Sequence, residues 1–221
     1  MGNLRHTLVS FTESDESMRS DWYWVRQGAP LQDPGRYAGQ LDLPIVPPDG
    51  ITARRLVARL PQGAVWLTSP LERARATVAS LDPSANAVNV AELTDQDLGS
   101  WAGRRRTEVH KANPQIDWEK PSLVEPEAGE SFGMVIDRTA LLVERLILHY
   151  PGRPLIAVSH IAIIRAAIVL ALDLPNEAAP QIEVSPFSLT HLSWTGPDDL
   201  RDTSDERIGT WRVHSLNLTV V

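Results

Sequence analysis

The side chains best suited to chemistry stand directly after three apolar runs of the sequence. They are arginines, a glutamine, serines and a histidine, found in Arg26-Gln27-Gly28, in Thr68-Ser69-Pro70 followed by Arg73, and in Ser159-His160. Guanidinium groups, an imidazole and the free amides of nearby helix N-termini together suit a small oxyanion, and phosphate is the natural candidate. Taken singly, Arg73 would be a solvated helix residue and His160 a hydrogen-bonded core residue. Their shared position after apolar runs favours a functional interpretation.

Four short apolar runs predict buried strands, at residues 22–25, 64–67, 155–158 and 189–194. Each of the first three is followed by a short polar turn and a helical pattern, which indicates βα units and a parallel sheet covered by helices. Ligands of such sheets bind outside the carboxyl ends of the strands. We therefore expect the three polar stretches to converge at that edge of the sheet.

Helical periodicity predicts helices at residues 51–60, 70–81, 132–149 and 161–172. The third is clearly amphipathic, whereas the fourth is apolar nearly all round and should be deeply buried. Residues 209–221 alternate as a strand does, and residues 82–130 have a weak pattern that indicates an excursion with one or two short helices. The predicted fold class is α/β, a three-layer α/β/α sandwich with a mostly parallel central sheet.

Length and charge limit the architecture and the partners. With 221 residues, of which 43% are hydrophobic, the chain can form one sizeable core. We expect an N-terminal extension at residues 1–20 and a single α/β domain at residues 21–221. The net charge of -7 disfavours nucleic acids and anionic membranes as partners, because both attract dense positive charge.

The composition also excludes several kinds of site. The chain has no cysteine, so disulfides, thiolate metal sites and cysteine nucleophiles are excluded. The histidines lack ligand spacing and no acidic cluster pairs with them, so we predict no metal and no cofactor. The most apolar long segment, residues 156–174, contains charged residues, and the first twenty residues lack the apolar core of a secretory signal. We expect a soluble, cytoplasmic protein, and a homodimer stays open.

Six motifs follow one another in the sequence from Trp22 onward. They stand as Arg26-Gln27-Gly28, Gly39-Gln40-x-Asp42-x-Pro44, Ser69-Pro70-Leu71-Glu72-Arg73-Ala74, the loop from Leu93 to Gly103, Gly129-Glu130-Ser131 and Ser159-His160-Ile161. In type and order they resemble the signatures of the histidine phosphatase superfamily, the phosphoglycerate mutase-like proteins. The resemblance covers roughly the whole chain from Trp22, and it implies a phosphoglycerate mutase-like fold and phosphoric monoester chemistry.

In enzymes of this family, a histidine attacks phosphorus and carries a covalent phosphohistidine, which water then hydrolyses. Two arginines and a second histidine hold the phosphate oxygens, and a carboxylate protonates the leaving oxygen. Carried over to matching positions, the resemblance implies a phosphate cradle of Arg26, Arg73 and His160. It implies that Asp95 is the proton donor, although the family usually has the longer glutamate there.

Two other carboxylates are rivals of Asp95, because Glu92 and Asp97 lie close to it in sequence. Ile161 stands where the family usually has glycine, and its side chain adds bulk beside His160. The three arginines at 104–106 predict a solvated face, with attraction of an anionic substrate as the alternative.

Gln27 stands at the position that the family gives to its attacking histidine. A side-chain amide has no basic lone pair comparable to that of imidazole, so it cannot form the phosphoenzyme. It can donate a hydrogen bond to a phosphate oxygen and so belong to the phosphate-binding set. The sequence therefore predicts that hydrolysis through phosphohistidine is lost or strongly impaired.

Three functions stay open at this point. The first is a phosphomonoester hydrolase in which one residue has been changed, naturally or by engineering. The second is a natural pseudophosphatase that binds a phosphorylated ligand or a protein partner without turnover. The third is a catalyst that uses water activated by Asp95 or His160 as the attacking group. The expected ligand is a small phosphorylated substrate or inorganic phosphate, and the second function adds a protein partner as the alternative.

Overall fold

Six strands form the central sheet of the computed structural model, which describes residues 19–196 and 209–220. The strands are β1 (Arg19–Arg26), β2 (Val65–Thr68), β3 (Val88–Asn89), β4 (Leu155–Ser159), β5 (Leu189–Thr195) and β6 (Thr210–Leu218). Their order across the sheet is β3-β2-β4-β1-β5-β6. The first four in this order run parallel, whereas β5 is antiparallel to both β1 and β6. The sheet is mostly parallel, as predicted.

Helices cover both faces of the sheet. They are α1 (Gly50–Val57), α2 (Glu72–Leu81), α3 (Arg106–Ala112), α4 (Phe132–His149) and α5 (Ile161–Leu172). Side chains of α4 and α5 pack in one core cluster with Trp22 and Trp24, and those of α1 and α2 pack in another with Val25. Successive residues of a strand point to opposite faces, so the two clusters lie on opposite sides of the sheet. The predicted three-layer α/β/α architecture is confirmed.

The central strand β4 explains why the sheet edge is so well defined. All five of its residues are buried, because helices cover it on both faces. The strand ends at Ser159, and the next residue, His160, is the N-cap of α5, which begins at Ile161. The polar stretch after β4 is therefore as short as a βα connection can be. Within the described ranges, no helix is both long enough and apolar enough to cross a membrane.

The differences from the predicted elements fall at ends and connections. β1 begins at Arg19, so two residues of the predicted extension at 1–20 pair with β5, and residues 1–18 lie outside the described part of the chain. The predicted short turn between β1 and its helix is wrong, because residues 27–49 separate β1 from α1. β3 escapes prediction because two residues carry no periodicity. The last strand ends at Leu218, and Val221 lies outside the described residues.

Candidate active site

The carboxyl ends of β1, β2 and β4 meet at one edge of the sheet and bring the three polar stretches together. Arg26 of β1 lies beside Ser159 of β4 in the sheet register, and Thr68 of β2 lies beside Val158 of β4. The Gln27 amide donates to the Ser159 carbonyl at 2.9 Å. The residues that follow the three strands therefore lie side by side.

A cavity of about 460 Å³ opens at this edge, within the range of small-molecule sites. Four of the predicted site residues line it, namely Arg26, Gln27, Arg73 and Asp95. Among the described residues, the charged groups of its wall are five arginines and one carboxylate: Arg26, Arg36, Arg73, Arg106, Arg165 and Asp95. The cavity is thus strongly positive in a chain of net charge -7, and it attracts anions.

Arg73 is completely buried and projects from the first turn of α2. Its Nε donates to His160 Nδ1 at 3.1 Å, and its Nη1 donates to the Leu41 carbonyl at 2.7 Å. Its Nη2 donates to the Gly39 carbonyl at 2.6 Å and to Asp95 Oδ2 at 3.1 Å. Four of the five N–H groups of this guanidinium are thereby engaged by the protein itself.

The segment that contains Gly39 ties α2 to the loop of Asp95. The Glu72 amide, in the first turn of α2, donates to Asp42 Oδ1 at 2.5 Å, so Asp42 satisfies one of the amides that a helix leaves free. Gln40 Nε2 donates to the Asp95 carbonyl at 3.0 Å. The Gly-Gln-x-Asp motif therefore has a positioning role in this chain.

His160 is completely buried, and both of its ring nitrogens have partners. Nδ1 accepts from Arg73, so the ring proton is on Nε2, which lies 2.7 Å from Ser69 Oγ and donates to it. Burial lowers the pKa of His160 well below its usual range, and the charges of Arg73, Arg138 and Arg26 lower this pKa further. The described cavity wall does not include His160. Its link to the cavity runs through Arg73.

Asp95 faces the cavity and is only 8% exposed. Its Oδ2 lies 3.1 Å from Arg73 Nη2 and 3.8 Å from His160 Nδ1. Burial raises the pKa of Asp95, and this effect outweighs the charge of Arg73 and the hydrogen bond from the Gln96 amide, which lower it. A carboxyl group with a raised pKa in a cleft is suited to holding and releasing a proton.

The two rival carboxylates point elsewhere. Asp97 Oδ1 accepts from the Gly99 amide at 2.9 Å, and Glu92 pairs with Arg145 at 2.6 Å on the surface. Neither residue belongs to the described cavity wall. The geometry therefore favours Asp95 among the three candidates.

Arg138, on α4, holds the loop of Asp95 in place, and sequence reasoning missed it. It donates to the carbonyls of Glu92, Thr94 and Asp95 at 2.5, 2.9 and 3.3 Å. It also binds the Glu130 carboxylate at 2.7 Å and 3.0 Å. The sequence feature that could have indicated Arg138 is the Gly-Glu-Ser motif, because the carboxylate of a partly buried glutamate needs a cation beside it.

Two glycines allow this loop to lie against the Gly-Glu-Ser segment. Gly99 has a φ of +45°, and a Cβ there would lie 2.1 Å from the Glu127 carbonyl oxygen. A Cβ on Gly129 would lie 2.7 Å from the Asp97 carbonyl oxygen. Only glycine permits this close approach of two backbones.

Arg26, the last residue of β1, and Gln27, which follows it, have polar atoms that the described residues do not satisfy. Arg26 Nε and Gln27 Oε1 are buried without a hydrogen-bond partner, and Gln27 is only 3% exposed. Arg26 Nη1 donates to the Val184 carbonyl, and the Gly28 amide donates to Thr77 Oγ1 at 2.9 Å, so the strand end is fixed. Buried polar groups are normally paired. The two unpaired atoms therefore favour this strand end as a place for a polar ligand.

Aromatic rings form the outer wall of the cavity. Trp101 lies 6.0 Å from Tyr37 and 5.4 Å from Trp118, measured between ring centroids. The guanidinium of Arg106 lies over the Tyr37 ring at 5.3 Å. The outer cavity can therefore contact a flat or apolar group together with an anionic one.

Two further sequence features lie at this outer wall. The arginines at 104–106 are exposed, as predicted, and Arg106 also lines the cavity. Ile161 lines it as well, and so occupies space beside the end of β4.

Arg165 also lines the cavity. It donates to the carbonyls of Ile182 and Pro180 at 2.8 and 3.1 Å. Burial lowers the pKa of Arg165, and the charge of Arg106 lowers it further.

Outside the cavity, the fold brings Asp21, His191 and His214 together, with one possible ligand atom of each within 4.8 Å of the others. From the sequence no acidic cluster is expected beside the histidines, and this group contains one carboxylate, that of Asp21. Arg19 already binds the Asp21 carboxylate at 2.7 and 2.9 Å. The two imidazole rings stack at 4.2 Å and 21°. His191 Nε2 lies 3.0 Å from Asp21 Oδ1, and His214 Nε2 lies 2.8 Å from Ser193 Oγ, so both nitrogens already have partners. We assign no metal to this cluster.

Comparisons with known proteins bear on the family and on the fold. A sequence model of the histidine phosphatase superfamily (branch 1) matches residues 22–200. The bifunctional protein Rv2228c of Mycobacterium tuberculosis is 32% identical over 114 residues, which are 50% of this chain and 31% of that protein. The chain thus spans about a third of the length of that relative. Phosphoserine phosphatase 1 of Hydrogenobacter thermophilus is 27% identical over 167 residues, 72% of this chain and 79% of that protein.

Solved structures share the fold. Mycobacterial hydrolase 2 matches with a TM-score of 0.77 at 25% identity, over 92% of each chain. A mycobacterial glucosyl-3-phosphoglycerate phosphatase, solved with inorganic phosphate, matches with a TM-score of 0.68 at 23% identity, over 90% of this chain and 97% of that one. The predicted phosphoglycerate mutase-like fold is confirmed.

Proposed function

The chain belongs to the histidine phosphatase superfamily (branch 1), and we propose that it binds a small phosphomonoester or inorganic phosphate without turnover through phosphohistidine. The observation that carries this proposal is Gln27, which directly follows Arg26 at the end of β1 and lines the cavity. Its position matches that of the attacking histidine in the family motif. An amide can bind a phosphate oxygen but cannot attack phosphorus as imidazole does.

Arg26 and Arg73 supply the positive charge of the proposed phosphate cradle. Among the described residues, Arg26 Nε has no hydrogen-bond partner, and one N–H group of Arg73 is not used. Phosphate oxygens would accept charge-assisted hydrogen bonds from these unused N–H groups of the two guanidinium groups. His160 acts in this proposal as a positioning residue, because it accepts from Arg73 Nε and directs the rest of that guanidinium.

The charge of the outer cavity favours a ligand with more than one acidic group. Arg106 and Arg165 line the same cavity as Arg26. The pKa of Arg26 is lowered most by burial, and the positive charges of Arg165 and Arg106 lower it further. Three guanidinium groups that repel one another are stabilised by added negative charge. A phosphomonoester with a carboxylate or a second phosphate would supply that charge.

Slow hydrolysis by water is a second candidate, and Asp95 is the observation that favours it. Its carboxyl group lies in the cavity wall and has a raised pKa, so it can transfer a proton to the leaving oxygen. Positioning and electrostatics alone sustain rates of about 10³ to 10⁴ over water in proteases that have lost their nucleophile. Asp95→Asn would abolish a rate of this origin.

Calorimetric titration tests the proposal directly. Inorganic phosphate should bind to the unmodified chain, and Arg26→Ala should weaken binding by about tenfold or more, because a charge-assisted hydrogen bond is lost. Arg104→Ala is the matched control, since this arginine is exposed and outside the described cavity wall. Absence of binding to phosphate and to phosphomonoesters, or equal losses in the two variants, would overturn the proposal.

A further inference from the structure

Much of the cavity wall is not part of the proposed phosphate cradle. Three aromatic rings line it, those of Tyr37, Trp101 and Trp118. Apolar side chains line it as well, among them Leu98, Val124, Phe132 and Pro180. A cavity of about 460 Å³ holds a drug-sized molecule, so inorganic phosphate would leave most of this wall without a ligand contact.

Backbone pairing fixes the segment of Tyr37 against the segment of Arg106. The Tyr37 amide donates to the Arg104 carbonyl at 3.0 Å, and the Gly103 amide donates to the Tyr37 carbonyl at 2.8 Å. The Arg106 amide donates to the Gly35 carbonyl at 2.9 Å, and the Arg106 guanidinium lies 5.3 Å from the centroid of the Tyr37 ring. The protein itself therefore positions this ring and this cation, which lowers the cost of binding a ligand beside them.

Two contacts of His110 fix Trp118 beside Tyr37. The imidazole stacks on the indole of Trp118, with ring centroids 3.8 Å apart and an angle of 8° between the planes. His110 Nε2 also lies 3.1 Å from the hydroxyl oxygen of Tyr37, within hydrogen-bond distance. Trp118 belongs to the described cavity wall, and His110 does not. His110 therefore covers one face of the indole from outside, and the cavity contacts the rest of that ring.

The indoles of Trp101 and Trp118 do not stack flat on each other. Their planes are tilted by 47°, and their centroids lie 5.4 Å apart. Trp101 is only 6% exposed, whereas Trp118 is half-buried. Aromatic pairs are stable in offset and edge-to-face arrangements, and an aromatic side chain can stack on any nucleobase because every base has a π-face. Trp118 is thus the ring of this wall best placed to accept a flat ring of a ligand.

We propose that Trp118 binds a flat ring of the ligand, and that the ligand is a phosphomonoester of an alcohol that carries such a ring. The inference rests on the proposed function, because the phosphate group of this ligand would bind to Arg26 and Arg73. The ring adds apolar area for the aromatic wall, and the phosphate adds the charge that the arginines attract. Nucleoside 5′-monophosphates and benzyl phosphate have this chemistry, whereas small sugar phosphates and alkyl phosphates lack the flat ring.

Calorimetric titration with two pairs of ligands tests the ring separately from the phosphate. Adenosine 5′-monophosphate differs from ribose 5-phosphate by its base, and benzyl phosphate differs from methyl phosphate by its phenyl ring. In at least one pair, the ligand with the ring should bind about tenfold more tightly, because stacking of a base on an aromatic side chain has an effect of this order. Inorganic phosphate reports on the cradle alone.

Variants of Trp118 assign the preference to this side chain. Trp118→Ala should remove the preference and leave the affinities for inorganic phosphate and for the ligands without the ring unchanged. Trp118→Phe should retain most of the preference, since a phenyl ring still stacks. Trp211→Ala is the matched control, because Trp211 is a half-buried tryptophan of β6 outside the described cavity wall, and it should keep the full preference. Circular dichroism verifies that each variant is folded.

The outcomes separate this inference from the proposed function. Equal affinities within both pairs, with inorganic phosphate still bound, would overturn the inference and uphold the proposed function. A preference that survives Trp118→Ala, or an equal loss of affinity for all ligands in this variant, would also overturn the inference. If inorganic phosphate and all four esters fail to bind to the unmodified chain, the proposed function fails and the inference fails with it.

Discussion

The Asp95 carboxylate lies 3.1 Å from Nη2 of Arg73, within the cavity. In the proposed function Arg73 binds phosphate, so a phosphate oxygen must share this guanidinium with a carboxylate of the protein. Two negative groups on one arginine repel each other unless one of them is protonated. Binding of an anion is therefore expected to be linked to protonation of Asp95.

Anion binding should accordingly strengthen as the pH falls. Burial raises the pKa of Asp95, and a bound dianion raises it further, so the complex takes up a proton over the range in which free Asp95 is ionised. Sulfate is the probe, because it does not titrate in this range. Its affinity, measured by calorimetry, should rise toward acidic pH in the unmodified chain.

Asp95→Asn is the matched variant for this pH dependence. It removes the competing charge and keeps the shape, so sulfate should bind about tenfold more tightly at neutral pH, equivalent to ~1.4 kcal/mol. The affinity should then change little with pH. Weaker binding by Asp95→Asn, or an unchanged pH profile, would show that the carboxylate does not compete with the ligand.

The neutral state of His160 should make the fold sensitive to acid. Its pKa is lowered well below the usual value by burial and by nearby arginines, so the unfolded chain binds a proton at a pH where the folded chain does not. Stability therefore falls as the pH drops below the ordinary histidine pKa of about 6.5, with a slope approaching about 1.4 kcal/mol per pH unit.

His160→Gln separates this effect from general acid sensitivity. Glutamine can still accept from Arg73 Nε and donate to Ser69 Oγ, but it does not titrate. Urea unfolding of both chains between neutral and mildly acidic pH should give a shallower slope for the variant. Equal slopes would mean that His160 is not the group that titrates.

Arg138 should be far more important for the Asp95 loop than its neighbour Arg145. Arg138→Ala removes a partly buried pair with Glu130 and leaves the carbonyls of the loop without their donor, at a cost of about 2–4 kcal/mol. Arg145→Ala removes only an exposed pair with Glu92, at a cost of about 1 kcal/mol or less. Denaturant unfolding compares the two variants.

Hydrogen exchange locates the effect of Arg138. The amide of Asp97 donates to Glu130 Oε1 at 2.9 Å, and Arg138 holds that carboxylate. The exchange rate of this amide should therefore rise in Arg138→Ala and stay the same in Arg145→Ala. Comparable stability losses and exchange rates in both variants would contradict the assigned positioning role.

The sheet edge could be predicted from the sequence because strand ends leave strong local signals. The apolar run before Ser159 and the immediate helix after it predict β4 and α5 within one residue of their observed bounds. α4 is predicted with the observed bounds, since its apolar face is buried and its N-cap Ser131 precedes it. Local patterns of this kind need no tertiary information.

The contacts inside the cavity could not be predicted, because they join segments far apart in the chain. Nothing in the pattern around Arg73 indicates that the carbonyls of Gly39 and Leu41 occupy its Nη groups. Arg138 is an ordinary residue of an amphipathic helix in the sequence, and only the fold places it against the Asp95 loop. The burial of His160 behind Arg73 likewise depends on packing and not on spacing.

The central claim is that Gln27 occupies the nucleophile position of a retained phosphate site, and the most direct test is a single-turnover reaction of Gln27→His. With a radiolabelled aryl phosphate, this variant should form an acid-labile phosphoenzyme and release phosphate at least about 10³-fold faster than the unmodified chain. The unmodified chain should bind phosphate and form no phosphoenzyme. A phosphoenzyme in the unmodified chain would contradict the account, and so would its absence in a Gln27→His variant that is folded and still binds phosphate.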